Sequence, residues 1–401
     1  MDRERSGMSG LESRLPFLRR VEIEGKGRAL VASQSLGAGQ IVLRDSPILL
    51  YSALPFVKNK NNDNPSSNNS YCSNCFRTLQ QSSVSCPSCS PHHAALFCSP
   101  NCQSSSVAHS PWVCQALSRL RDCPSLLLHE DRQVQASFLI AAYNLALVSP
   151  SHFQILLSLQ GEAEASPPPP EAHFLHSIIS SLCPPQGISG FSLQLTASLL
   201  AKDKFNAFAL MEPFAQDGYR SVRAYGIYPN ASFFNHDCLP NACRFDYVDT
   251  ESDCNTDIIV RLIHDVPQGR EICLSYFPVN QNYSSRQRRL MEDYGFACQC
   301  DRCKVEANWS DEDDEEEEVM DEEGDQDEPM AVEDSDTDFP HAYFFLRYMC
   351  NRENCWGTLA PLPPSNGSPS NVLECNVCGN LKKEDDEVDG DSGEEVLLMD
   401  D

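Results

Sequence analysis

The chain has 401 residues, of which 41% are hydrophobic, enough for one large domain or two to three smaller ones around a real core. Its formal charge of −28 is concentrated: residues 311–338 hold 18 acidic and no basic residues, and 381–401 hold 10 acidic and 2 basic. The remainder is therefore close to neutral, which argues against nucleic acid as a partner and for a basic peptide.

The first elements are Val21-Glu22-Ile23 and Ile41-Val42-Leu43, read as strands around Glu24-Gly25-Lys26-Gly27-Arg28-Ala29-Leu30-Val31-Ala32. A Gly-x-Gly turn lets the backbone approach a ligand closely, but it also makes a plain hairpin, and both readings stand. Leu36 to Gln40 fits a following hairpin, and the Asn/Ser-rich run Asn59 to Ser70 reads as a flexible connector marking an insertion. Beyond it, Cys72-x2-Cys75, Cys86-x2-Cys89, Cys98-x3-Cys102, His109 and Cys114 supply eight ligands, a set for two zinc ions. So short a segment cannot bury an adequate core, so metal must supply its folding energy. His92 and His93 compete with His109 for the one imidazole position. Arg77 is the only Arg or Lys between Cys72 and Cys114, so phosphate binding there is disfavoured.

Helical periodicity runs over Val134–Val148, Phe174–Leu182 and Leu193–Met211, with a loop at Pro167–Pro170 between the first two. The window Ala136 to Val148, broken by Ser137 and Asn144, is too short to span a bilayer. In Lys204-Phe205-Asn206-Ala207-Phe208 the two Phe could be core residues on one helix face. The densest polar stretch is Asn235-His236-Asp237-Cys238-Leu239-Pro240-Asn241. Its Asn-His pair could simply satisfy backbone groups at a turn. Phe245–Val248 and Ile258–Ile263 read as a strand pair, and Glu271 to Tyr276 as a short apolar strand ending in Tyr. Arg286, Arg288 and Arg289 are expected on the solvated face of a helix. Cys298, Cys300 and Cys303 then supply three thiols, and Cys238 completes a tetrahedral zinc set.

The acidic linker, 309–338, is expected to be disordered, as is the tail at 383–401. Between them Cys350-x4-Cys355 and Cys375-x2-Cys378 form a zinc-ribbon pattern within 343–382. Cys123, Cys183, Cys243, Cys254 and Cys273 are left over and expected as buried thiols. Cys-x2-Cys spacing behind a start, Met1-Asp2-Arg3-Glu4-Arg5, that opens no signal peptide predicts a reducing compartment, nucleus or cytoplasm.

Asn235-His236, the strand ending at Tyr276, and Phe296 with Cys298, Cys300 and Cys303 come in an order and spacing that resembles the end of a SET domain, the fold of most protein-lysine methyltransferases. Cys72–Cys114 resembles a MYND finger. The resemblance implies an α+β protein: a β-rich SET fold over 15–280, split and with a knotted C-terminal segment. Its inserts are the finger at 72–114 and helices at 130–212, and a zinc-bound post-SET segment at 281–305 follows. It implies crosswise zinc sharing in the finger, with Cys72, Cys75, Cys98 and Cys102 on one ion and Cys86, Cys89, His109 and Cys114 on the other. With the other two sets, three to four zinc ions are expected. It implies S-adenosyl-L-methionine as cofactor, held by Lys26, Arg28, Ser232, Asn235, His236, Tyr276 and Phe296. Asn206, Phe208 and Tyr294 would border the lysine channel. The family has Gly where this chain has Ala29, and Ser where it has Asp237. The helical-repeat domain that ends several such enzymes is missing, which points to a shorter branch such as the plant one.

The implied activity is methyl transfer to a protein lysine, with a basic histone tail as substrate. Lysine must be neutral to attack, against a reference pKa of about 10.4, and an aromatic channel can desolvate it into that state. Tyr276 would be the catalytic hydroxyl; its plain role is a sheet-end Tyr packing the core. A proline-rich peptide at the finger is a further expected partner, and a monomer is expected. The rival is a catalytically silent adaptor that recruits partners through the finger. A zinc hydrolase is disfavoured, because every metal set is filled by four protein ligands.

Overall fold

The computed structural model describes residues 15–56, 70–79, 83–89, 95–161, 167–188, 190–214, 220–250, 255–308, 341–365 and 368–384. The connector up to Asn69, His92, His93, Cys254, the acidic linker and the tail beyond Glu384 lie outside these. Leu18–Ile23 (β1) and Gly27–Ala32 (β2) form an antiparallel hairpin. Its turn places Gly25 at φ 76° and Gly27 at φ 73°, where a Cβ would be strained. The Gly-x-Gly stretch is thus a plain hairpin locally, and β2, read from sequence as part of a turn, is a strand. Ala29 is fully buried in it.

Ile41–Asp45 (β3) and Leu49–Ser52 (β4) lead to the inserted finger, whose small hairpin is Val84–Ser85 (β5) and Leu96–Phe97 (β6), followed by Pro100–Ser104 (α1). Six helices come next: Pro111–Arg121 (α2), Pro124–Leu127 (α3), Glu130–Val148 (α4), Pro150–Ser158 (α5), Pro170–Leu182 (α6) and Leu193–Asn206 (α7). Ser110 caps α2 by accepting from Val113 N, with Pro111 at its first position, the usual start signal. The core of the molecule runs through α4, where Phe138, Leu139, Ile140 and Tyr143 are all buried.

The third predicted helix ends five residues early. Its apolar periodicity continues to Met211, but Ala207–Met211 is a strand (β7) paired antiparallel with Val222–Ile227 (β8). Pairing with a buried partner outweighs a periodicity that both structures could use. The reading of Phe205 and Phe208 on one helix face falls with it, and the helical insert stops at Asn206 rather than 212. The sheet order is β4-β8-β7.

Asn235–His236 (β9) pairs parallel with Cys273–Leu274 (β12), register Asn235↔Cys273 and His236↔Leu274. Between them Ala242–Phe245 (β10) and Ile258–Leu262 (β11) form a sheet with β3 in the order β10-β11-β3. Tyr283–Arg289 (α8), a π-turn at Leu290–Tyr294 and Asp301–Glu306 (α9) follow. Ala342–Tyr348 (α10) opens the C-terminal ribbon, with its strands Leu359–Pro361 (β13), Val372–Cys375 (β14) and Leu381–Lys383 (β15). Among the described residues no helix is long and apolar enough to cross a membrane.

Two buried arginines fasten the modules to the central sheets. Arg223 of β8 donates to the Phe76 carbonyl at 2.7 Å and pairs with Asp249 at 2.9 Å, so the finger is seated on the sheet. Arg77 donates to the Thr250 carbonyl at 2.6 Å. On the other side Arg261 of β11 pairs with Glu374 of the ribbon at 2.8 Å, stacked 3.8 Å from the Phe245 ring centroid. A buried charge needs such a partner.

Candidate active site

Sixteen Cys and His side chains fall into four sets, within each of which the candidate ligand atoms lie within 4.8 Å of one another. They are Cys72, Cys75, Cys98 and Cys102; Cys86, Cys89, His109 and Cys114; Cys238, Cys298, Cys300 and Cys303; and Cys350, Cys355, Cys375 and Cys378. His109 Nε2 is 2.8 Å from Cys114 Sγ and 3.3 Å from Cys89 Sγ. Four sulfur or nitrogen donors per set, with no place left for water, fit structural zinc. Of the leftover cysteines, Cys183, Cys243 and Cys273 are buried, but Cys123 is only half-buried, at the start of α3.

Arg286 corrects the sequence reading. It lies fully buried instead of on a solvated face. Its Nε is 3.3 Å from Cys238 Sγ, and it pairs with Glu306. A four-thiolate zinc site carries net negative charge, which a buried guanidinium offsets. Arg302 adds a second bond to Glu306 at 2.6 Å. Arg288 stays exposed, and Arg289 pairs loosely with Asp293 at 3.6 Å.

Next to this set, the Tyr276 N–H donates to His236 Nδ1 at 3.1 Å. The ring proton therefore sits on Nε2, which faces Cys238 Sγ at 3.3 Å. His236 thus ties the Tyr276 backbone to the third cysteine set. Asn235 donates to Glu271 Oε1 at 2.9 Å, and Lys26 Nζ lies 2.6 Å from Glu271 Oε2. Burial acts to lower the Lys26 pKa, but the bond and charge of Glu271 outweigh it and the net shift is upward. Glu271 is a site residue that sequence reasoning missed, since its only signal is its place at the start of the Tyr276 strand. Asp45, the last residue of β3, accepts from the Asn230 and Ala231 N–H groups at 2.8 and 2.9 Å and holds the turn before β9.

The Tyr276 hydroxyl donates to the Phe234 carbonyl at 2.9 Å. Burial pushes its pKa up, so it stays protonated. Tyr276 and Phe234 both line a cavity of about 450 Å³. Asn206, Phe208, Ser232 and Tyr294 line the same cavity, and the Tyr294 ring centroid is 4.8 Å from that of Tyr276. Asn206 is buried, its amide donating to the Gln160 and Lys202 carbonyls at 2.8 Å each, while its Oδ1 has no partner. Ser232 donates to the Tyr228 carbonyl at 2.8 Å. Among the described residues no carboxylate lines the cavity, whereas Lys204, Arg244 and Arg289 do. Lys26, Asn235 and His236 do not line it. Arg28 donates to the Ser158 carbonyl at 2.9 Å, and Phe296 stands apart, 37% exposed.

A family model described as the SET domain matches residues 27–277. The chain belongs to the SET-domain family. The matched interval takes in the finger and all six helices after it, and it ends one residue past Tyr276. Thus Asn235, Glu271 and Tyr276 are SET-domain residues, while Cys298, Cys300, Cys303 and the ribbon lie beyond the match. Over 92% of its length the chain is 57% identical to "Histone-lysine N-methyltransferase ASHR2" of Arabidopsis thaliana, covering 96% of that protein. It is 26% identical to "Histone-lysine N-methyltransferase SMYD1" of Homo sapiens over 70% of this chain and 54% of that one. To "Histone-lysine N-methyltransferase ASHR1" of Arabidopsis thaliana it is 24% identical, over 69% of this chain and 53% of that one. The chain thus spans nearly the whole of the first relative and about half of the other two.

Proposed function

We propose that this SET-domain protein transfers a methyl group from S-adenosylmethionine to the side-chain nitrogen of a protein lysine, with a histone tail as substrate. The observation that carries the proposal is the aromatic cavity lined by Tyr276 and Phe234. The Glu271 carboxylate bridges the Lys26 ammonium and the Asn235 amide, and the charged pair beside Asn235 fits the zwitterionic amino-acid end of the cofactor. Asn235, Lys26, Arg28, Ser232, the His236 backbone and Phe296 are the residues that would hold it. When bound, the cofactor supplies an electrophilic methyl group on sulfonium.

The protein's own part is to deliver a neutral amine. Aromatic walls desolvate an entering ammonium, and the nearby cations Lys204 and Arg244 oppose its charge, so both effects lower its pKa. Among the described residues no carboxylate stands on the cavity wall, so the proton leaves to water. Arginine cannot be neutralised this way. The Tyr276 hydroxyl and the Phe234 carbonyl then hold the amine in line, a positioning effect of up to several kcal/mol.

The finger is read as a MYND-type module that docks partner peptides or serves structure alone, since Arg77, its one basic residue, is bonded to Thr250. A nuclear or cytoplasmic residence accords with a histone substrate and with unpaired thiols. The test is incubation of the purified chain with labelled cofactor and core histones. Label on a lysine, lost in Tyr276→Phe, supports the reading. No cofactor binding by calorimetry would leave the adaptor reading in its place.

A further inference from the structure

Four residues of the C-terminal ribbon, Trp356, Thr358, Asn376 and Val377, share the wall of the Tyr276 cavity. They come from its two cysteine knuckles: Trp356 directly follows Cys355, and Asn376 and Val377 lie between Cys375 and Cys378. Trp356 is 50% exposed and Val377 37%. The ribbon therefore turns apolar surface outward where the cavity opens, and large exposed apolar groups at a cleft mark a binding surface.

The position of these knuckles is enforced. Glu374, two residues before Asn376, accepts from Arg261 and from the Tyr247 hydroxyl at 2.8 Å each. Buried Tyr348 and Ala360 of the ribbon pack with Cys243, Phe245, Ile259 and Ile263 of the β10-β11 sheet. At the hairpin, a Cβ on Gly39 would come within 2.5 Å of the Leu362 carbonyl. Within the knuckles, a Cβ on Gly357 would meet Cys375 Sγ at 2.4 Å, so the chain beside Trp356 has one path.

We infer that the ribbon is the second wall of the substrate groove, and that Trp356 and Val377 select a peptide carrying an apolar side chain beside the target lysine. This rests on the methyl-transfer reading. A lysine that reaches Tyr276 draws its neighbours across the rim. The cavity wall there includes the apolar Trp356, Val377 and Pro278 beside the polar Thr358 and Asn376, so an apolar neighbour gains burial against the first three.

The experiment uses the full chain with its zinc retained and a lysine peptide that the wild-type protein methylates, chosen from a peptide array. Trp356→Ala is expected to raise the peptide KM about tenfold with kcat within about twofold. Cofactor affinity by calorimetry and zinc content stay unchanged, and Trp356→Phe keeps most of the wild-type KM. Replacing the apolar neighbour of the lysine by Ser should raise KM for the wild type but not for Trp356→Ala. An unchanged peptide KM in Trp356→Ala, with wild type active, overturns the ribbon's role and leaves methyl transfer standing. Absence of turnover by wild type on every peptide removes the methyl-transfer reading, and this inference with it.

Discussion

Glu374 of the ribbon lies 2.8 Å from Arg261 of the SET sheet, with both side chains largely withdrawn from water. Removing one partner of such a pair leaves a buried charge, which costs about 3–5 kcal/mol. Glu374→Ala is therefore expected to lower the denaturant midpoint by that order and to make 341–384 sensitive to protease. The Arg347–Glu384 pair is a control on the same module, with side chains 38% and 30% exposed. Glu384→Ala should cost under about 1 kcal/mol. Equal effects would contradict the burial argument.

Tyr276→Phe keeps the ring against His236 and Tyr294 and removes only the bond to the Phe234 carbonyl. If that hydroxyl helps align the transfer, kcat should fall by about 10²–10³ while cofactor affinity stays within a few-fold. Rapid-quench turnover and calorimetry measure the two separately, and a kcat equal to wild type would reduce Tyr276 to a packing role.

Asp203 accepts from the Tyr51 hydroxyl at 2.5 Å, and burial pushes its carboxyl up to about 7. Unfolded aspartate releases its proton near 3.9, so between about pH 4 and pH 7 the folded state binds more protons. Stability from this group is full below about pH 4 and falls as pH rises toward 7. Asp203→Asn should flatten that slope in Tm measured from pH 4 to 8. A wild-type slope persisting in the variant would assign it elsewhere. Burial raises the Tyr225 pKa and the charge of Asp203 raises it further, and Tyr225 lines the cavity.

Metal analysis of the purified chain should give four zinc ions, one for each Cys/His set. Chelation is expected to unfold the finger first, since its segment has the least core of its own. Arg286→Ala should weaken zinc at Cys238, Cys298, Cys300 and Cys303 by about 10–100-fold, read by competition with a chromophoric chelator, and leave the other three sets unchanged.

The cysteine sets were readable because metal ligation imposes spacing on the chain itself. Family order likewise singles out Asn235 and Tyr276 as candidates. What was not readable depended on distant partners. Glu271 carries no signal beyond its place at the start of the Tyr276 strand, and its position between Lys26 and Asn235 arises from its bridge to Val31 of β2 and the parallel pairing of β9 with β12. Ala207–Met211 has a pattern that suits helix and strand alike, and β8 decides. Arg286 looks like any surface arginine until four thiols converge on it. Trp356 has no ligand spacing to single it out, because the docking of the ribbon is written in Arg261, more than ninety residues earlier.

The parallel partner of Asn235–His236 is Cys273–Leu274, and the cysteines packed behind His236 extend to Cys303. On a translating ribosome, adding about 5–20 residues per second, the Asn-His turn thus emerges seconds before the segment that gives it shape. A message truncated between codons 242 and 303 would encode the finger and the whole helical layer, yet no finished centre.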